Sequence, residues 1–444
     1  VTLACGATQS GFGRTGTVDW QTGSIKTATF TAVNGQGFFA DTSSGAFVMN
    51  LPAGTAGNIV SVVDYTNTFQ THNLTITPNG SQKIGGVNAN AVLDTEGQSV
   101  TFVYVDDTEG WKNVQDSTSA VTGNDKIIAT GGTITTCGDY KIHTFTGPGT
   151  FVVCTAAASA PNNAVDYLVV AAGGGGGGAG GGGGGMRFFA NPSTNPQPGS
   201  NPAAPRNGPA GITVSATSFP ITIGSGGTAG GRAPGAITHG GRGSNTIFST
   251  ITSTGGGGGG HYICGGAPGP SYEGPGGSGG GSYNSPGGGS AAGNTPPVTP
   301  SQGSNGGDSS PQSIDSVGYG GGGGMMAVGA TGTNGSPGGL GNAGAGGAGG
   351  GLTGFGSSNG QCSSCVQYFA GGGGGGAQNN PGPGPFSTAG IGGGGQGSSG
   401  GCNPTAPPVV PGTANTGGGA GGGSNNTNSI GGVGGSGIVV IRYR

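Results

Sequence analysis

Long uninterrupted glycine runs limit what this chain can fold into more than any other feature. Glycine makes up 116 of the 444 residues, and the runs all follow residue 172. A region with so few large apolar side chains cannot bury a conventional core. Collagen requires glycine at every third position, which these runs do not sustain. The runs are Gly173–Gly178, Gly180–Gly185, Gly255–Gly260, Gly320–Gly324, Gly371–Gly376, Gly392–Gly395, Gly417–Gly419 and Gly421–Gly423.

Each longer run can make one or two turns of a left-handed helix with three residues per turn and a rise of about 3.1 Å per residue. This helix has no internal hydrogen bonds, so its N–H and C=O groups must pair with neighbouring helices. A Cβ atom between the backbones would block their approach, and only glycine fits. The sequence therefore predicts a bundle of polyglycine II helices. A flexible linker is the alternative.

Outside the glycine-rich region the sequence predicts an all-β fold with essentially no α-helix. Residues 17–118 contain short segments rich in Val, Ile, Phe, Tyr and Thr, separated by turn residues, which is typical of a β-sandwich-like module. Residues 119–172 have the same pattern and predict a second, smaller sheet. The other two parts are an N-terminal extension, residues 1–16, and the glycine-rich bundle, residues 173–436.

The C-terminal segment, residues 437–444, reads as a strand with almost no local partner. We expect it to return to Asp166–Ala172 and to complete the small sheet of residues 119–172. The glycine-rich bundle is then a long insertion between two adjacent strands. This arrangement favours a folded bundle over a linker, because the closing strand has a role only if the region folds back.

Charge and composition exclude several classes of protein. The chain has 12 basic and 15 acidic residues and a formal net charge of −3, whereas a nucleic-acid binder needs a basic face. Its longest apolar run, Tyr167–Ala172, is too short to span a bilayer. Only Glu273, Asp308 and Asp315 are acidic after Asp166, which argues against the carboxylate pair of a glycosidase. We expect no enzyme activity, no cofactor and no metal.

Two sets of motifs resemble phage proteins. Residues 25–115 resemble a module that recurs in tail-fibre proteins of marine tailed phages. Residues 124–444 resemble the glycine-rich domain of phage tail-fibre proteins and tip adhesins. The first resemblance is carried by Gly37–Phe47, Leu51-Pro52-Ala53, Val103–Asp106 and Gly110-Trp111, and the second by Asp166–Ala171 before Gly173–Gly178 and by Gly435–Tyr443.

The resemblance implies a virion protein, the distal part of a tail fibre, whose loops recognise a receptor on the host cell. The receptor would be a glycan or an outer-membrane protein, and the other partners would be tail-fibre subunits in a homotrimer, or none in a monomeric tip. Loops rich in Pro, Asn and Ser join the glycine runs, and their aromatic residues suit recognition. The candidates are Phe188, Phe189, Tyr262, Tyr272, Tyr283, Tyr368, Phe369 and Phe386. The alternative role for each aromatic is to cover the flanks of the bundle.

Cysteines leave a second function open. Cys137 with Cys154, and Cys362 with Cys365, are candidate disulfide pairs, which favour an oxidising compartment. A zinc site of His261, Cys264, Cys362 and Cys365 is a weaker interpretation, because the ligands lie in separate loops. Disulfides would favour a secreted bacterial surface protein or an extracellular filament subunit. In that case residues 1–17 would add a strand to the next subunit.

Overall fold

The computed structural model describes residues 18–116, 125–197, 203–233, 236–261, 274–283, 290–310, 317–335, 341–356, 358–377, 387–398, 408–424 and 430–444. The chain divides into two compact units, Val1–Lys126 with Ala156–Asn162, and Ile127–Thr155 with Asn163–Arg444. The second unit thus includes both the predicted small sheet and the glycine-rich region. Within the described ranges there is no α-helix, and the predicted all-β fold is confirmed.

The first unit is a pair of sheets around one core. Consecutive strands β1 to β6 alternate between the sheets, and neighbours among these six strands are parallel. The buried faces of both sheets share one apolar cluster that includes Phe38, Met49, Phe102 and Trp111. One sheet has the order β1 (Asp19–Trp20), β3 (Gln36–Ala40), β5 (Ile59–Asp64), β8 (Ser99–Tyr104), β9 (Trp111–Asp116), and the other β2 (Phe30–Thr31), β4 (Phe47–Asn50), β6 (Leu74–Thr77), β7 (Ala91–Leu93). The pairs β5–β8, β8–β9 and β6–β7 are antiparallel.

The second unit begins with two larger sheets. They share an apolar cluster that includes Phe151, Tyr167 and Phe248. One sheet has the order β10 (Ile128–Thr130), β13 (Gly149–Thr155), β17 (Ser218–Thr222), β20 (Thr246–Phe248), β21 (Ile251–Ser253). The other has the order β11 (Thr133–Cys137), β12 (Tyr140–Phe145), β25 (Ile438–Tyr443), β14 (Ala164–Val170), β15 (Met186–Phe189), with β16 (Ile212–Thr213) also on β14.

Two further sheets lie within the glycine-rich region. A two-stranded hairpin joins β18 (Gly231–Ala233) and β19 (Ala236–Thr238). A three-stranded sheet has the order β22 (Gly350–Leu352), β24 (Val366–Phe369), β23 (Gln361–Ser363). Two short 3₁₀ turns cover Ala160–Asn163 and Ala204–Arg206.

Strand β25 closes the second unit, as the sequence predicts. It lies between β12 and β14 and pairs antiparallel with both, so that Arg442 stands opposite Ile142 and Asp166. All six residues of the strand are buried. The C-terminal strand therefore pairs with two strands that precede the glycine-rich region, although it follows that region in the sequence.

Polar contacts fix the register of β25. The guanidinium of Arg442 donates to Asp166 Oδ2 at 3.1 Å and to the Thr194 carbonyl at 3.2 Å, and it lies 3.7 Å from the centre of the Tyr140 ring. Burial raises the pKa of Asp166, although Arg442 and the Asn191 amide favour its ionised form. Since both charges are buried, loss of one would leave the other without its compensating charge.

A neutral pair of side chains joins β25 to β12. His143 Nδ1 donates to the Gly131 carbonyl at 2.7 Å, and its Nε2 accepts a hydrogen bond from the Tyr443 hydroxyl at 2.9 Å. Burial lowers the pKa of His143 and raises the pKa of Tyr443 to about 12. The imidazole therefore stays neutral and the phenol stays protonated near pH 7, which keeps both hydrogen bonds.

Residues Gly180–Gly185 show how the glycine runs are held together. Their six amides donate to three neighbouring segments in rotation, so that residues three apart donate to the same segment. The acceptors are, in order, the carbonyls of Gly320, Ala420, Gly257, Gly323, Gly417 and Thr254, at 2.7–3.1 Å. This repeat of three is the one expected for polyglycine II; the helical form itself stays a prediction.

The carbonyl groups of the same run pair with three more segments. Those of Gly180, Gly181, Gly182, Gly183 and Gly185 accept hydrogen bonds from the amides of Gly281, Gly373, Gly174, Ser278 and Ala171, respectively. The run thus has backbone partners on all sides, three segments through its amides and three through its carbonyls. We call this laterally hydrogen-bonded region the glycine lattice; it comprises the described residues of 173–185, 224–230, 240–243, 254–260, 274–310, 317–349, 370–377, 387–398 and 408–437.

Close approach of the backbones explains the need for glycine. A Cβ atom built on any of Gly180–Gly185 would lie within 3.0 Å of neighbouring atoms, most of them backbone carbonyl atoms. Buried alanines occur where the packing leaves room, as at Ala179 and Ala420. The lattice also includes segments outside the pure glycine runs, such as the one containing Ser278, whose amide donates to Gly183.

We predict that Gly181→Ala lowers the free energy of unfolding by about 1–3 kcal/mol, because the new methyl group would press on the Gly174 carbonyl. Gly147→Ala is the matched control: Gly147 lies in the same unit, and no atom lies within 4 Å of the position that its Cβ would occupy. Urea unfolding of both variants measures the difference. Equal stability of Gly181→Ala and Gly147→Ala would contradict close backbone contact.

We predict that Arg442→Leu lowers the free energy of unfolding by roughly 3–5 kcal/mol, because Asp166 would keep a buried charge without its partner. Arg444→Leu is the control, since the ion pair of Arg444 with Asp139 is exposed, and we expect no measurable change. Thermal or urea unfolding provides the comparison. Similar decreases in the free energy of unfolding for both variants would show that burial of the Arg442 ion pair does not add to its effect on stability.

Candidate functional site

The glycine lattice has two different ends. At the proximal end, its segments continue directly into strands such as β14, β15 and β25. At the distal end, Gly178 donates to the Gly260 carbonyl, Gly376 donates to Gly178, and Gly423 donates to Gly177. Because the segments run back and forth between these ends, the connections between them must lie at one end or the other.

Several gaps in the described ranges are bordered by residues at the distal end of the lattice. The residues beside them are tied together there: Ser310 to Gly318, Ala377 to Ser398, and Ile430 to Gly231. Three predicted contact residues, Tyr262, Tyr272 and Phe386, lie outside the described residues. The segments concerned are 262–273, 284–289, 311–316, 378–386, 399–407 and 425–429.

The five other predicted contact aromatics are buried or half-buried. Phe188 and Phe369 are 1% exposed and belong to a core cluster at the proximal end. Phe189 is half-buried against Tyr167, and Tyr368 is half-buried in β24. These side chains pack where strands join the lattice. This position fits the alternative role, in which the aromatics cover the flanks of the bundle.

Tyr283 is the one described candidate at the distal end, and it too is buried. Its ring stacks on Tyr319 at 4.0 Å and on His261 at 5.4 Å, and the Tyr319 hydroxyl donates to the Tyr283 hydroxyl at 3.0 Å. Val317 and Ala179 complete this cluster. Sequence reasoning missed the stack because its members come from separate segments.

Two histidines connect the stack to the start of the 262–273 connection. The His261 amide donates to His239 Nδ1 at 3.0 Å, so this nitrogen carries no proton. Burial, with a smaller effect of His261, lowers the pKa of His239. Burial likewise raises the pKa of Tyr319 well above its ordinary value. The described part of this end is therefore arranged around neutral aromatic groups.

The four described cysteines are free and exposed: Cys137, Cys154, Cys362 and Cys365. Cys137 lies opposite Tyr140 in the β11–β12 hairpin, and Cys154 lies on a strand of the other sheet, so neither predicted pair is bonded in this structure. Cys365 occupies the turn between β23 and β24 with a φ of 62°. In the described ranges, no three His, Cys, Asp or Glu side chains gather into a potential metal site, and no helix is long and apolar enough to cross a membrane.

The profile of a family described as a glycine-rich domain matches residues 144–444. The match begins in β12, includes the whole lattice and ends with the closing strand β25. The chain belongs to this glycine-rich domain family. The match concerns the glycine-rich domain alone and does not by itself indicate a tail fibre. Comparison with curated proteins gives no match.

We predict that the glycine-rich domain loses stability in acid partly through His239. Its pKa is lower in the folded state than the ordinary 6.5, so the unfolded state binds the proton more readily. The contribution of His239 is complete above pH 6.5 and falls below it, by up to about 1.4 kcal/mol per pH unit, until the folded-state pKa is reached. Urea unfolding from about pH 5 to pH 8 measures it.

His239→Gln isolates this contribution, because glutamine can still accept a hydrogen bond from the His261 amide and does not titrate. Groups remote from His239 titrate equally in both proteins, including His143, whose folded-state pKa is also lowered, and Asp166, whose pKa is raised. The variant should therefore show a weaker fall in stability as the pH drops below about 6.5. An unchanged slope would rule out His239 as a contributor.

Proposed function

We propose that this protein is a structural component of a phage virion, the distal part of a tail fibre that recognises a host-cell receptor. The glycine lattice is the scaffold, built from polyglycine II helices, and the distal connections are the recognition surface. The receptor is a glycan or an outer-membrane protein. Other fibre subunits, in a homotrimer or around a monomeric tip, are the remaining partners.

The observation that carries this proposal is the structural difference between the two ends of the lattice. Proximal connections carry buried aromatics such as Phe188 and Phe369, which pack in the core. Distal connections begin and end at residues held by backbone hydrogen bonds, for example Ser310, Ala377 and Gly423. Long segments fixed at both ends on a firm base are suited to binding.

Composition supports recognition by the distal connections. The segments 262–273, 378–386 and 425–429 are rich in Gly, Pro, Ser and Asn, and the first contains Tyr262 and Tyr272. Tyrosine supplies a large contact area at low entropic cost, while Ser, Gly and Asn adapt their hydrogen bonds. The motifs in residues 25–115 that resemble a tail-fibre module support the same assignment.

The test is binding of the fluorescently labelled full chain to a panel of intact marine bacteria. A variant combining Tyr262→Ala, Tyr272→Ala and Phe386→Ala should bind its host strain roughly tenfold more weakly or worse, since contact aromatics carry much of a binding free energy. Tyr368→Ala is the control, because Tyr368 lies in β24 at the proximal end. Thermal unfolding verifies that both variants fold.

Equal binding by the triple variant and the wild type would contradict recognition by the distal connections. Binding to no strain of the panel would count against a receptor-binding fibre. Ordered head-to-tail polymers of the full chain in electron micrographs, together with absent binding, would indicate instead a secreted bacterial surface protein or extracellular filament subunit.

A further inference from the structure

A cavity of about 190 Å³ lies at the proximal end, between the β23–β24 hairpin and the 352–356 loop. Leu352, Phe355 and Phe369 give it apolar walls, while Thr353, Cys365 and Gln367 add polar groups. The run Gly371–Gly376 separates it from the nearest distal connection proposed above to bind a receptor, residues 378–386. The cavity is therefore a separate feature that the proposed function does not explain.

The volume of this cavity is much larger than the volume that one water molecule requires. One water molecule requires about 10–15 Å³ of such space, and an apolar protein cavity of about 150 Å³ is enough for benzene. A cavity of about 190 Å³ therefore accommodates a molecule of one six-membered ring. Two aromatic side chains in its wall, Phe355 and Phe369, can pack against such a ring.

Gln367 supplies an unused hydrogen-bonding group. Its Oε1 atom is buried and has no hydrogen-bond partner. The register of the three-stranded sheet places Gln367 opposite Leu352 on β22 and Cys362 on β23. Because side chains alternate along a strand, Gln367 lies on the same side of the sheet as Phe369. A buried amide oxygen without a partner is rare and costly in native proteins, and a bound group explains it.

The loop on the other side of the cavity is shaped by two glycines. Gly354 and Gly356 have φ values of 78° and 55°, which favour glycine over other residues. A Cβ at Gly354 would lie within 3.0 Å of the Asn195 side chain, and one at Gly356 within 3.0 Å of Ile142. The Thr353 amide donates to the side-chain oxygen of Gln197 at 3.0 Å. The wall is thus fixed by contacts outside the cavity.

We propose that this cavity binds a small, uncharged molecule with one ring and a hydroxyl group. The ring packs between Phe355 and Phe369, and the hydroxyl donates to Gln367 Oε1. One buried acceptor without a partner, beside two aromatic side chains, matches a phenol-like molecule with a single hydroxyl. Cys365, which is exposed and also lines the cavity, marks its opening.

The first test compares phenol with benzene, which differs only by the hydroxyl. Titration calorimetry on the full chain should show phenol binding about tenfold more tightly, and Gln367→Met should abolish this preference while still binding benzene. Methionine has a similar length and no amide oxygen. Equal affinities of phenol and benzene for the wild type, or no binding of either, would overturn the proposal.

A second test needs no variant. Iodoacetamide labels free thiols, and peptide mapping by mass spectrometry reports each cysteine separately. Phenol should slow labelling of Cys365 several-fold and leave Cys154, which is exposed on β13, unchanged. Equal protection of both thiols, or protection of neither, would contradict binding in this cavity.

Discussion

Lateral hydrogen bonding between backbones is the interaction on which the second unit depends. A glycine run buries its own amides and carbonyls but cannot pair them internally, so every one needs a partner in another segment. In Gly180–Gly185 all six amides and five of the six carbonyls have partners in other segments. The condition is collective: one or two runs would leave most groups without partners, and each ordered glycine carries a large entropic cost.

This constraint determines where side chains can be used. Inside the lattice a methyl group is rarely accommodated, so aromatic and aliphatic residues collect at its ends. At the proximal end, Phe188, Met325 and Phe369 join the apolar faces of the strands. At the distal end, Tyr283 and Tyr319 form a small stack with His261. Strand β25 is held against β14 and β12 by side-chain hydrogen bonds of Arg442 and Tyr443.

The sequence predicts the larger features well, because they follow from backbone chemistry. The return of residues 437–444 to Asp166–Ala172 follows from a strand without a local partner, and β25 lies there. The parallel pairing of β3 with β5 escapes prediction, since strand propensity carries no information on which sheet receives each strand. The lattice segment around Ser278 is missed because a serine interrupts its glycines, although the Ser278 amide donates to Gly183 like a glycine of the runs.

The candidate site is harder to predict than the fold, and the aromatics explain why. Phe188 and Tyr262 occur in similar surroundings in sequence, among Pro, Asn, Ser and Gly. Phe188 follows a run that ends at the sheet and is buried in the core, whereas the run before Tyr262 ends away from the sheet. In a lattice of alternating segments, the direction of a run decides whether its connection meets the core. The direction of the preceding run therefore distinguishes core aromatics from candidates for recognition, whereas the composition of the connection does not.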